Sequence, residues 1–180
     1  DQASGLRELA SAFMKPATVI TVTSGKGGVG KSSVALNVAI ALSRRGRRVL
    51  IIDTDFGFSN IDVMLGVGTK HDLLDVIKNN MDIRDIIEQG IEGVQFISGG
   101  SGVYELTQLS GGQLMGIVNN LKNLEGVADT IIFDTGPGVS ENNLRLICAS
   151  HKTLMITTPE PTSVVDAYAL IKIVSERSSS

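Results

Sequence analysis

A chain of 180 residues with 42% hydrophobic residues can bury a core of its own without staples and forms one domain of ordinary size. Its formal charge of −3 argues against a strongly basic nucleic-acid-binding surface, and its single cysteine, Cys148, excludes both a disulfide framework and a CxxC metal site. A reducing cytoplasm is the expected compartment, and no apolar run approaches the roughly 18 residues of a membrane span.

Asp1 to Met14 places Ala3, Leu6, Ala10 and Phe13 on one helical face before Pro16 closes the segment, which predicts a short amphipathic helix. The chain thus divides into an N-terminal helical segment, 1–16, and a domain over 17–180. Ala17 to Thr23 reads as a strand, Ser33 to Ser43 as a helix that stops at Gly46, and Arg48 to Ile52 as a second strand. Val49 to Ile52 is too continuously apolar for a half-exposed edge and fits a central parallel strand. Short helical patterns follow at Asp62 to Leu65, Leu73 to Lys78 and Ile83 to Gln89, then a strand at Val94 to Ser98 and a helix at Gly112 to Lys122. Thr130 to Asp134 is again a fully apolar strand ending in an acid, followed by a helix from Ser140 to Ala149, a strand from Thr153 to Thr157 and a helix from Ser163 to Ser175. Strands alternating with helices predict an α/β fold, a mostly parallel central sheet with helices on both faces and ligands at the carboxyl ends of the strands. Cys148 is expected to pack in the core, and His71 and His151, without metal-ligand spacing, on the surface. Arg44, Arg45, Arg47 and Arg48 cluster around Gly46, either to complement a helix C-terminus or to meet an anionic partner.

The chemistry is concentrated at the strand ends. Gly25-Lys26-Gly27-Gly28-Val29-Gly30-Lys31-Ser32 joins the first strand to the first helix and has the spacing of a P-loop. Its backbone N–H groups would converge on phosphate oxygens at a helix N-terminus, Lys31 would neutralise the β- and γ-phosphates, and Ser32 would ligate Mg²⁺, with Ser33 beside it. The same residues also satisfy Gly-x-Gly-x-x-Gly with Asp53 about 20 residues on, a dinucleotide-binding pattern. Such a turn gains nothing from the cation and hydroxyl at Lys31 and Ser32, whereas a magnesium nucleotide needs both.

Asp53 and Asp55 stand about 7 Å apart along an extended chain at the tip of the second strand. One acid there can hold a water of the Mg²⁺ shell and the other can orient the water that attacks the γ-phosphate. Asp134 is placed to accept hydrogen bonds from Mg²⁺-bound water, and Gly136 and Gly138 let the backbone after it approach the γ-phosphate as a switch. Glu160, in Thr158-Pro159-Glu160-Pro161, either caps the last helix or serves the nucleotide.

These motifs carry a resemblance. Lys26-Gly27-Gly28-Val29-Gly30-Lys31-Ser32 resembles the deviant P-loop of the MinD/ParA class of dimerising ATPases, and Asp53-x-Asp55-x-Gly57-x-x-Asn60 resembles that class's switch. The resemblance implies a MinD-like P-loop ATPase using ATP, ADP and Mg²⁺, with Asp55 orienting water, Asp53 and Asp134 in the metal's second shell, and an ATP-dependent homodimer. In it Lys26 would cross to the partner's phosphates and Glu160 to the partner's ribose. Otherwise Lys26 is a solvated loop lysine. Within the class, Asp1-Gln2-Ala3-Ser4-Gly5-Leu6-Arg7 resembles the N-terminal element of the flagellar FlhG family. That implies control of flagellar number, stimulation of the signal-recognition-type GTPase FlhF through Gln2, Leu6 and Arg7, and reversible attachment to the inner face of the membrane by a C-terminal helix expected beyond this chain. No nucleic-acid partner is implied. A septum-site or chromosome-partitioning relative would share the ATPase core without the flagellar role, a nitrogenase-type iron protein would need paired cysteines, and a non-enzymatic module would bind ATP without turning it over.

Overall fold

A computed structural model describes residues 17–56, 58–100, 110–120, 124 and 126–178. The expected helix over 1–16, with Gln2, Leu6 and Arg7, lies outside the described residues. Strands β1 (Thr18–Thr23), β2 (Val49–Thr54), β3 (Glu88–Gln89), β4 (Gln95–Ile97), β5 (Thr130–Thr135) and β6 (Lys152–Met155) form one sheet in the order β3-β4-β2-β5-β1-β6. All pairings are parallel except β3 with β4 at one edge. The helices are α1 (Lys31–Ser43), α2 (Ile61–Leu65), α3 (Leu73–Asn79), α4 (Gly111–Asn120), α5 (Glu141–Ala149) and α6 (Pro161–Ser178).

Because successive strand residues point to opposite faces, the apolar runs of β2 and β5 supply two cores at once. Val49, Ile51 and Ile132 pack under Ala35, Leu36 and Ala39 of α1 and Ile61 and Leu65 of α2. Leu50, Ile52, Ile131 and Phe133 pack on the other face under Leu73 and Val76 of α3 and Ile117 of α4. Small residues on α1 let that helix lie close over β2 and β5, fixing where its N-terminus stands. Pro161 starts α6 at the position where a missing N–H costs nothing.

Several expectations change. The helix expected over Ile83–Gln89 is a short 3₁₀ turn, Ile83–Ile86, started by the Asp82 carboxylate accepting from Arg84 N–H, after which the chain extends into β3. Glu92 at φ 53° then turns the chain back so that β3 meets β4 antiparallel. Cys148 is exposed, since α5 buries Asn143, Leu144, Leu146 and Ile147 and leaves Cys148 on the far side. His151 is exposed but not idle: its Nδ1 accepts the Val19 N–H at 3.0 Å, tying β6 to β1. Half of the arginine cluster is spent on ion pairs, Arg44 with Glu92 at 3.1 Å and Arg48 with Asp129 at 2.6 Å.

Candidate functional site

The strand register builds the site. Asp53 stands opposite Asp134 across β2 and β5, and Val22 stands opposite Asp134 across β1 and β5. The two acids therefore lie side by side at the carboxyl end of the sheet, directly beneath the loop that leaves β1 at Thr23. That loop reaches α1 through Gly30, whose φ of 89° is open to glycine and strained for any other residue. Gly25 is required for a different reason: a Cβ there would stand 2.5 Å from the Asp166 backbone carbon, so the loop is seated against α6.

A cleft of about 450 Å³ opens above these strands, lined by Gly27, Gly28, Gly30, Lys31, Ser32, Ser33 and Asp55, together with Asn60, Val63, Met64 and Pro137. All seven of the first group are expected site residues. Gly25 and Val29, also expected at the site, are not among the residues that line the cleft. Lys31 is 7% exposed and has no ion-pair partner among the described residues.

Asp134 and Asp53 are both 1% exposed but differ in kind. Neither carboxylate oxygen of Asp134 has a hydrogen-bond partner of ordinary geometry. Burial pushes this carboxyl up to about 7; the nearby Ser32 hydroxyl and Lys31 pull it down without reversing the shift, and Asp53 and Asp55 add to it. An orphaned buried carboxylate facing a serine and a lysine is a donor set that a hydrated divalent cation satisfies. Asp53, by contrast, is filled. Its Oδ2 accepts from the Ser59 hydroxyl at 2.7 Å, Asn60 N–H at 2.9 Å and Ile61 N–H at 3.2 Å, and its Oδ1 accepts from Asp55 N–H at 3.0 Å. Burial raises its proton affinity and these four donors oppose the rise. Asp53 therefore shapes the loop that carries Asp55, and of the two acids expected around the metal, Asp134 has the free oxygens. Ser59 carries no motif signal and escapes a reading by sequence.

Asp55 is half-buried, and its carboxylate lies where Gly136 has no side chain: a Cβ at Gly136 would stand 2.8 Å from Asp55 Oδ1. Burial and the Asp53 charge raise the proton affinity of Asp55, and Lys31 lowers it. Lys26 stands at the rim with its ammonium 2.7 Å from Glu160 Oε2 and 3.4 Å from Thr162 Oγ1. The two residues expected to act across a dimer are thus paired within one chain, each shifting the other toward its charged form.

The ParA family, described as the NUBPL iron-transfer P-loop NTPase, matches residues 15–179. The chain belongs to this family. Among its relatives, the antiactivator FleN of Pseudomonas aeruginosa is 39% identical over 162 residues, 90% of this chain and 58% of FleN. The flagellum site-determining protein YlxH of Helicobacter pylori is 36% identical over 157 residues, 87% of this chain and 53% of YlxH. The chain spans a little over half the length of these curated relatives. The septum site-determining protein MinD from Pyrococcus horikoshii, solved in complex with Mg-ADP, superposes with a TM-score of 0.78 at 26% identity, over 89% of this chain and 66% of that one. The fold and the expected kinship with MinD/ParA proteins and their flagellar members are both supported by these matches. The chain has one cysteine, Cys148, which is exposed on α5.

The raised proton affinity of Asp134 has a consequence for stability. With its folded value above the ordinary carboxyl range, the ligand-free protein is favoured below about pH 4 and loses that stability as the pH rises to about 7. Asp134→Asn removes the buried charge and is expected to raise the melting temperature at pH 8 by several degrees, with little change at pH 4.5, in metal-free buffer. Equal shifts at both pH values would mean that Asp134 is not held out of its charged state by the fold.

Proposed function

We propose that this chain binds and hydrolyses ATP with Mg²⁺ in the cleft, and that the presence of the γ-phosphate controls its pairing with a second copy. The observation that carries the reading is the orphaned Asp134 carboxylate beside Ser32 and Lys31, at the mouth of a P-loop and next to a second acid, Asp55, that remains in the cleft. The loop N–H groups and Lys31 bind the phosphates. Ser32 would hold Mg²⁺ directly and Asp134 through water, with Asp53 supporting the loop beside it. When bound, the cation neutralises charge developing between the β- and γ-phosphates. Asp55 orients the attacking water, and Gly136 brings backbone to the γ-phosphate. The solved Mg-ADP complex of MinD supports the choice of nucleotide and cation. Single-turnover hydrolysis of ATP with and without Mg²⁺ tests the core of this reading; a rate at the solution background with Mg²⁺ present would overturn it.

We further propose a flagellar role: setting flagellar number or placement from the cytoplasmic side, in reversible association with the inner face of the membrane. The similarity to FleN and YlxH supports it, together with Asp1 to Arg7. In this reading residues 1–16 act as a detachable effector on an FlhF-type GTPase, where Gln2 positions the hydrolytic water or its neighbours and Leu6 and Arg7 hold the contact. Deleting residues 1–14, or Gln2→Ala alone, is expected to abolish stimulation of GTP hydrolysis by a purified FlhF partner and leave ATP hydrolysis unchanged. Full stimulation by the truncated protein would remove the segment from this role, and a collapse of its ATPase would assign it to the core.

A further inference from the structure

The turn that carries Gly136 has no means of holding its own shape. Gly136 and Gly138 lack side chains, Pro137 lacks an N–H, and the three residues lie between the end of β5 and the start of α5. One side of the turn is fastened to the P-loop, with Gly138 N–H donating to Ser24 O at 2.9 Å and Pro137 packed 3.6 Å from where a Cβ at Gly27 would stand. The other side is fastened by one buried side chain from α5. Asn143, 4% exposed, donates from Nδ2 to Gly136 O at 3.0 Å and to Gly138 O at 2.9 Å. Its own backbone N–H donates to Ser140 Oγ at 3.0 Å, which fixes the first turn of α5 from which it reaches.

We propose that Asn143 is the positioning residue of the phosphate-sensing turn, holding Gly136 and Pro137 at the cleft so that the turn can tell a triphosphate from a diphosphate. This rests on the ATP-hydrolysing reading given above. The chemistry selects asparagine. A primary amide has two N–H donors on one nitrogen, and the turn offers two carbonyls two residues apart. Aspartate would set acceptors against acceptors in a buried place, and alanine would leave both carbonyls without partners. The clamp also bears on Asp55, whose carboxylate rests against Gly136: a shift of the turn by about 1 Å moves the wall against which the water-orienting acid is set. Among the described residues the hydrogen bonds that Asn143 donates go to Ser140, Gly136 and Gly138 and none to the P-loop residues proposed to bind phosphate, so its effect is expected on the γ-phosphate and the reaction rather than on the diphosphate.

The test compares the whole chain with Asn143→Ala, Asn143→Asp and Asn143→Gln. It measures affinity for Mg·ADP and for a magnesium complex of a non-hydrolysable ATP analogue, together with kcat and KM for ATP and the melting temperature. In Asn143→Ala and Asn143→Asp, ADP affinity is expected to stay within about threefold, while kcat falls by about 10²-fold and the preference for the analogue over ADP disappears. Asn143→Gln keeps both donors and is expected to recover part of kcat. A purely structural asparagine would lower the melting temperature and weaken both nucleotides equally, and that result overturns the proposal. So does a folded Asn143→Ala protein with unchanged kcat and unchanged preference. If Asn143→Ala and Asn143→Asp do not fold, Asn143→Gln carries the decision: a preference for the analogue over ADP that falls in step with its kcat supports the proposal, and a lowered kcat with the preference unchanged overturns it. A wild-type chain that fails to hydrolyse ATP would overturn the catalytic reading itself and is recognised separately, because it shows before any substitution is made.

Discussion

Lys31→Ala is expected to lose the nucleotide, and Asp55→Ala to keep it and lose turnover. Lys31 is buried at the first residue of α1, directly after Gly30, with no ion pair among the described residues to hold its charge. A desolvated cation in that position has a phosphate as its natural partner, and a charge-assisted contact of this kind is worth about 1.5–3 kcal/mol, roughly 10- to 150-fold in affinity. Asp55 is different, because a second negative charge beside phosphates contributes nothing to ground-state binding. Its removal should leave ATP affinity unchanged or improved, since Lys31 no longer shares its charge with a carboxylate. What is lost is orientation of the attacking water, which in positioned catalytic groups amounts to about 10²-fold or more. Calorimetric titration with a non-hydrolysable analogue and steady-state ATPase rates separate the two. Wild-type turnover in Asp55→Ala would take Asp55 out of the mechanism, and unaltered affinity in Lys31→Ala would remove the phosphates from the cleft.

How much of this was legible in the sequence depends on whether an interaction is local. The P-loop, the apolar strands and the acids at their tips all announce themselves within a few residues. Their spacing alone predicts the parallel α/β sheet and seven residues of the cleft wall. The pairing of Asp53 with Asp134 is not local: it follows from β5 lying between β2 and β1, an order that alternating strands and helices do not specify. The division of labour between those acids was hidden for the same reason, since it depends on which donors the loop returns to Asp53. Ser59 looks like any polar loop residue until its hydroxyl is seen at 2.7 Å from that carboxylate. Asn143 looks like an ordinary polar residue in a helix's first turn, and only the fold brings Gly136 and Gly138 under its amide. Cys148 shows the opposite failure, where a residue type usually buried falls on the wrong side of an amphipathic helix.

Pairing of two copies is expected to follow the γ-phosphate and to require Lys26. Phe58 and Val63 are 69% and 75% exposed, and Met64 and Val139 are also exposed, so apolar side chains stand on the loops and helix around the cleft. Several large apolar groups exposed together are the usual mark of a surface that another protein covers. In the proposed pairing, each Lys26 is expected to reach the cleft of the other copy. In the free chain that lysine is held 2.7 Å from Glu160, and both side chains are in solvent, where such pairs are screened and easily exchanged for a better partner. A γ-phosphate offers more charge than one carboxylate, so a triphosphate in the facing cleft can draw Lys26 away, whereas a diphosphate presents no charge at that position. Asp55→Ala with ATP should therefore sediment as a dimer, the same protein with ADP as a monomer, and a second substitution, Lys26→Ala, should return the ATP form to monomer. The dimer is expected to be weakened by added salt, because the contact that decides it is ionic. An Asp55→Ala protein of one mass with both nucleotides, or an ATP dimer that survives Lys26→Ala, would leave Lys26 as a lysine that serves only Glu160 of its own chain.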